Sequence, residues 1–136
     1  EKPMVEINAY SKAKDGGKRL SANFTVKEFA CKDGSDAVLT APRLVMVLQS
    51  IRSHFAAPVV IHSAYRTPQY NAKVGGAAHS QHCYGTAADI SVRGQTPAAV
   101  AAYARDLMPD WGGVGVYAGQ GFTHIDVRET RADWNG

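Results

Sequence analysis

Two short segments of this chain are apolar on one side and carry histidine and aspartate on the other. That pattern restricts the fold more than any other feature. In an extended strand, successive side chains point to opposite faces. Over residues 122–128, Thr123, Ile125 and Val127 share one face, while His124 and Asp126 share the other. Residues 88–92 repeat the arrangement, with Ala88, Ile90 and Val92 on one face and Asp89 opposite. Such strands suit a sheet with one face against the core and the other turned toward a site.

A third element joins these two. His82 lies in a loop just before the strand that carries Asp89, and Gly85 permits the change of direction between them. Two imidazoles and a carboxylate would make a three-ligand set for zinc at about 2.0–2.2 Å with a fourth tetrahedral position open, although on spacing alone a lone His in a strand is more often a hydrogen-bonded core or surface residue. That open position separates a catalytic zinc from a structural one. The other histidines have simpler readings. His54 suits a helix C-terminus, His62 follows a buried strand, and His79 reads as loop surface. Cys83 adjoins His82, but neighbours in an extended loop point apart, so it is not counted as a ligand.

A chain of 136 residues is one domain's worth, enough to bury a single core. No window approaches the run of about 18 apolar residues that a membrane span requires. Residues 1–4 lack both an initiator Met at position 1 and the pattern of a secretory signal, so the chain reads as a processed product or part of a longer protein. The net charge of +3 is compatible with an anionic polymer without demanding one. The basic residues are scattered rather than striped with aromatics, which argues against nucleic-acid binding. Cys31 and Cys83 form either one disulfide or a pair of small buried thiols; the free pair is favoured, and no compartment follows from it.

Residues 1–21 read as an irregular N-terminal segment, with 12–18 an exposed turn, and residues 22–136 as the folded domain. Thr25 and Glu28 have the spacing of a capping box, which predicts a helical turn near residues 26–30. Pro42 in a first turn and Leu44, Leu48, Ile51 and Phe55 at helical spacing predict a helix over 42–55. Val59, Val60 and Ile61 predict a buried strand, and Thr67-Pro68 a helix to about Val74, stopped by Gly75-Gly76. A strand near 86–92, a helix over 98–108 and two closing strands at 113–117 and 122–128, joined by a turn at 118–121, complete the chain. Helices and strands mix without strict alternation, so the expected class is α+β: a single domain with a small, mostly antiparallel sheet and flanking helices.

These residues also resemble a known family. The run Ser63-Ala64-Tyr65-Arg66-Thr67-Pro68, the segment Asn71 to Ala77, the spacing Ser80-x-His82-x-x-Gly85-x-Ala87-x-Asp89, and the closing Gly113-x-Gly115-x-Tyr117 and His124-x-Asp126 resemble the zinc D-Ala-D-Ala carboxypeptidase and murein endopeptidase family. The likeness covers about residues 22–135. It implies a fold shared with the hedgehog signalling domain, one zinc ion on His82, Asp89 and His124, and a peptide substrate from bacterial peptidoglycan. It also implies that Arg66 contacts a substrate carboxylate or the oxyanion, with a structural salt bridge as its alternative. Ser80 lines the substrate groove or shapes the loop through its hydroxyl. Several relatives place a general base, Glu or His, three or two residues before the last His ligand; here those positions are Gly121 and Phe122. Asp126 is the remaining candidate, either as base or as a support for a ligand.

The expected activity is therefore a zinc metallopeptidase of the D,D-carboxypeptidase or endopeptidase type. It would be extracytoplasmic or directed at the cell wall, in a bacterium or as a phage endolysin-like enzyme. The alternative is an inactive zinc-containing module that binds peptidoglycan or serves in a phage structure.

Overall fold

Backbone pairing around the two half-apolar strands organises the molecule, a computed structural model that describes residues 5–136. The expectations about residues 1–4 lie outside the described residues. The elements run β1 (Asn8–Ser11), α1 (Lys12–Asp15), β2 (Arg19–Ser21), β3 (Phe24–Thr25), a 3₁₀ turn at Val26–Phe29, β4 (Ala37–Thr40), α2 (Pro42–Phe55), β5 (Val59–Ser63) and α3 (Pro68–Lys73). A second 3₁₀ turn at Gln81–Tyr84 precedes β6 (Ala87–Val92), α4 (Pro97–Leu107), β7 (Gly113–Tyr117), β8 (Phe122–Asp126) and β9 (Ala132–Asn135). The class is α+β with a mixed sheet.

Five strands form the main sheet in the order β5-β6-β8-β7-β9. The expected antiparallel pairing holds for β5-β6, β6-β8 and β8-β7, whereas β9 joins β7 in parallel. The core face carries Ile61, Ile90, Val92, Val114 and Ile125, each no more than 8% exposed. Helices α2 and α4 pack on this sheet. Pro42 opens α2, and Leu44, Leu48 and Ile51 are buried, as their spacing predicts. Each such side chain contributes about 1.5–3 kcal/mol on full burial. Thr123 also lies on the core face, and its hydroxyl donates to the Pro97 carbonyl at the start of α4, so the buried polar group is satisfied.

The segment before residue 22 corrects its expected irregularity. It holds β1, α1 and β2, because β1 pairs antiparallel with β4, nearly thirty residues further along, and β2 pairs with β3. The Ser11 hydroxyl caps α1 by accepting from the Lys14 N–H. The capping box at Thr25 and Glu28 is present. The chain does not close on β8, since β9 adds an outer strand.

Candidate metal centre

The sheet pairing sets Asp89 of β6 directly opposite His124 of β8, and Gly115 of β7 opposite His124 from the other side. His82 arrives from the 3₁₀ turn at 81–84. Ser80 caps that turn, its hydroxyl accepting from the His82 N–H at 3.2 Å. Gly85 ends the turn at φ +77°, where a side chain would also strike the backbone of Leu39. Ligand atoms of His82, Asp89 and His124 lie within 4.8 Å of one another, and all three residues are buried. Cys83 is not part of this group, and both cysteines are free, Cys31 buried and Cys83 half-buried.

Hydrogen bonding fixes which nitrogens face inward. His82 Nδ1 lies 2.7 Å from the Ala64 carbonyl oxygen, which only accepts, so Nδ1 carries the proton and Nε2 is left bare. That Nε2 is 3.3 Å from Asp89 Oδ2. His124 Nε2–H donates to Asp126 Oδ2 at 2.8 Å, which leaves Nδ1 facing Asp89 Oδ1 at 2.9 Å. With both rings in the neutral form, two nitrogen lone pairs and a carboxylate would converge on one point, where the three side chains could hold a metal ion. The donor set of two nitrogens and one oxygen fits zinc, and each ring is oriented by a partner on its far nitrogen.

Electrostatics respond accordingly. Burial opposes the charge of Asp89, but the facing His124 and His82 outweigh it and hold the carboxyl well below the usual range. Burial likewise disfavours a charged His124, yet Asp126 and Asp89 raise its pKa above the ordinary imidazole value. For Asp126, burial is overcome by bonds from His124 and Arg128, which lower its pKa to about 2.

Asp126 is fully buried. One oxygen receives His124 Nε2 and Arg128 Nη2, and the other receives the Arg128 N–H and Nε. The Arg128 guanidinium also lies over the Trp134 ring, 5.3 Å from its centroid. Trp134 in turn sits 5.1 Å from the His124 ring and donates Nε1–H to the Tyr117 hydroxyl at 2.9 Å. Gly113 and Gly115 make room for this layer: a Cβ at Gly113 would strike the Asp126 carboxylate, and one at Gly115 the Trp134 indole. The spacing Gly113-x-Gly115-x-Tyr117 is thus a cleared floor with an aromatic at its end.

Above the triad opens a cleft of about 630 Å³. Its lining includes Arg66, His79, Ser80, Tyr117, Phe122, Arg128 and Trp134 beside His82, Asp89 and His124. Arg66 extends Nη2 to Asp89 Oδ2 at 3.4 Å, and Ser63 and Asn71 hold its other nitrogens. Asn71 is buried and also donates to the Ala77 carbonyl, tying the loop over the cleft to Arg66. The structure therefore brings Arg66, Ser80 and the three candidate ligands together, with Ser80 both lining the cleft and capping the turn. Asp126 stands behind His124 and outside the lining. His79 is exposed, as loop surface should be, but it also faces the cleft. Arg128 and Trp134 have no role in the sequence reading; a basic residue two after a strand Asp and an aromatic in a terminal segment were the available signals. A second cavity of about 540 Å³, beside β1, β2 and α2, is lined by none of these residues.

A profile of the peptidase M15 family matches residues 19–126. The chain belongs to this family. The match takes in Arg66, Ser80, all three members of the triad and Asp126, and it bears out the resemblance drawn from the motifs. Membership implies a metallopeptidase and a peptide substrate. Arg128 and Trp134 lie beyond the matched residues. No curated protein matches the chain significantly.

Proposed function

We propose that the chain is a zinc metallopeptidase that hydrolyses peptide bonds in bacterial cell-wall peptidoglycan. The observation that carries this reading is the convergence of His82 Nε2, His124 Nδ1 and the Asp89 carboxylate at the base of an open cleft. Held by His82, Asp89 and His124, a zinc ion would supply a water of pKa about 7 and a polarising charge for a carbonyl. The single mixed domain accords with the hedgehog-like fold that the motifs imply.

The chain's own residues supply the rest. Arg66 presents a permanently charged guanidinium at the cleft wall, suited to a substrate carboxylate or to the oxygen that gains charge during hydrolysis. Ser63 and Asn71 hold it in place, so little ordering accompanies binding. Ser80 offers a hydroxyl to the substrate backbone. Asp126 acts as a positioning residue, because both its oxygens are occupied and it has no surface toward the cleft. It keeps the proton on His124 Nε2 and so keeps Nδ1 available. An extracytoplasmic or wall-directed setting, bacterial or phage, follows from this substrate.

One observation favours a second reading, a zinc-containing module that binds peptidoglycan without cutting it. Among the described residues, Asp89 is the only carboxylate in the cleft lining, and it belongs to the triad. Incubating the zinc-loaded protein with purified peptidoglycan and assaying new peptide termini separates the two. The peptidase reading expects termini from the wild type and none from His124→Ala. Equal yields from both, or none from either, would sink it.

A further inference from the structure

The sheet face that carries the triad does not end at the triad. The row Gly115–His124–Asp89 crosses β7, β8 and β6. Two residues along each strand, about 7 Å away, lies a second row on the same face. Tyr117 pairs with Phe122, and Val60 pairs with Ser91; the β6–β8 pairing ends at Ile90–Thr123, and extending its register by one step sets Ser91 next to Phe122. The Tyr117 and Phe122 rings are stacked, with centroids 4.5 Å apart, and both line the metal cleft. At the other end Val60 is 51% exposed, although it sits mid-strand. His62, at a register shift in β5, is also exposed and shares a 2.8 Å hydrogen bond with the Ser91 hydroxyl. Bulges of this kind re-aim side chains near functional sites.

The row is therefore a shelf, aromatic where it meets the cleft and apolar with hydroxyl and imidazole groups at its far end. It crosses four strands, about 14 Å, the length of roughly four extended residues. It leaves the cleft near Tyr117, Phe122 and Gln120, all of which line it. Val60 and His62 leave the opposite end unwalled. A groove that only trimmed a terminal residue would need a wall there.

We infer that Tyr117, Phe122, Ser91, Val60 and His62 bind the peptide that continues past the scissile bond, so that the chain cuts within cross-linked peptide as an endopeptidase. The inference rests on the peptidase reading and deepens it by naming the substrate class. Its occupant is set by continuity, since two members of the shelf are also walls of the metal cleft. The exposed Val60 offers apolar contact, and Ser91 and His62 offer hydrogen bonds to a peptide backbone.

Chemical-shift mapping on isotope-labelled, zinc-loaded protein tests it, with a purified cross-linked muropeptide dimer and the uncross-linked stem peptide as ligands. Both ligands should shift amides around His82 and His124, and only the dimer should shift those of Val60, His62 and Ser91. Val60→Glu and His62→Ala should each weaken dimer binding about fivefold and leave stem-peptide binding unchanged. If either variant fails to fold, the wild-type shifts decide. Shifts confined to the cleft, or equal weakening of both ligands, overturn the shelf. Product analysis on the same samples separates the two claims. A dimer bound at the shelf but never cut removes the peptidase reading and keeps the shelf. A dimer cut without shifts at the shelf removes the shelf alone, and no binding of either ligand overturns both.

Discussion

Asp126 shows how one buried carboxylate can determine what its neighbour is able to do. By accepting from His124 Nε2 it assigns the tautomer, and by pairing with Arg128 through both oxygens it stays charged without water. A role in ligand support and a role as base make opposite predictions for Asp126→Asn. Support predicts that zinc affinity falls about 10–100-fold, measured by competition with a zinc indicator. Unchanged affinity with lost turnover would instead restore the base role. The Ser80 and Arg66 side chains belong to the same scale, since each is locked by a named partner before substrate arrives.

At the scale of elements, β9 decides the shape of the site. It lays Trp134 against His124 and over Gly115, and it frames Arg128. Gly115→Ala should therefore destabilise the protein by about 1–3 kcal/mol, read from the urea midpoint, because the new methyl group meets the indole. A shift within error would mean that Trp134 is loosely placed. The elements differed in how far the sequence revealed them. Helix α2 and strands β6 and β8 carry strong periodicity, so their faces, and with them Asp89 and His124, were readable before any pairing was known. His82 needed the motif spacing, because its loop has no period. Strands β1 and β4 are four residues each, and their partners lie far apart in sequence, so only the folded chain shows the pairing. β9 gives a different gap: Ala132–Asn135 alternates between half-buried and exposed positions, with no apolar stripe to announce a strand. The position of Asp126 behind His124, rather than beside the cleft, depends on Arg128, which strand alternation alone does not locate.

For the whole molecule, the site is a joint product of three regions: the loop and turn at 63–85, the paired strands β6 and β8, and the C-terminal strand beyond the family match. Binding a cation at their junction should therefore stabilise the entire fold. A hundredfold excess of zinc over its Kd should add about 2.7 kcal/mol and raise the melting temperature by about 10 °C; a chelator should reverse the change. A melting curve indifferent to zinc would place the metal off the folding unit. Among the described residues no helix is long and apolar enough to cross a membrane.

The central claim is that His82, Asp89 and His124 hold one divalent metal ion, and elemental analysis tests it most directly. After incubation with zinc and dialysis, the wild type should retain about one equivalent per chain, and folded His124→Ala less than about one-tenth. Less than one-tenth in the wild type, or a full equivalent in the variant, would contradict the account.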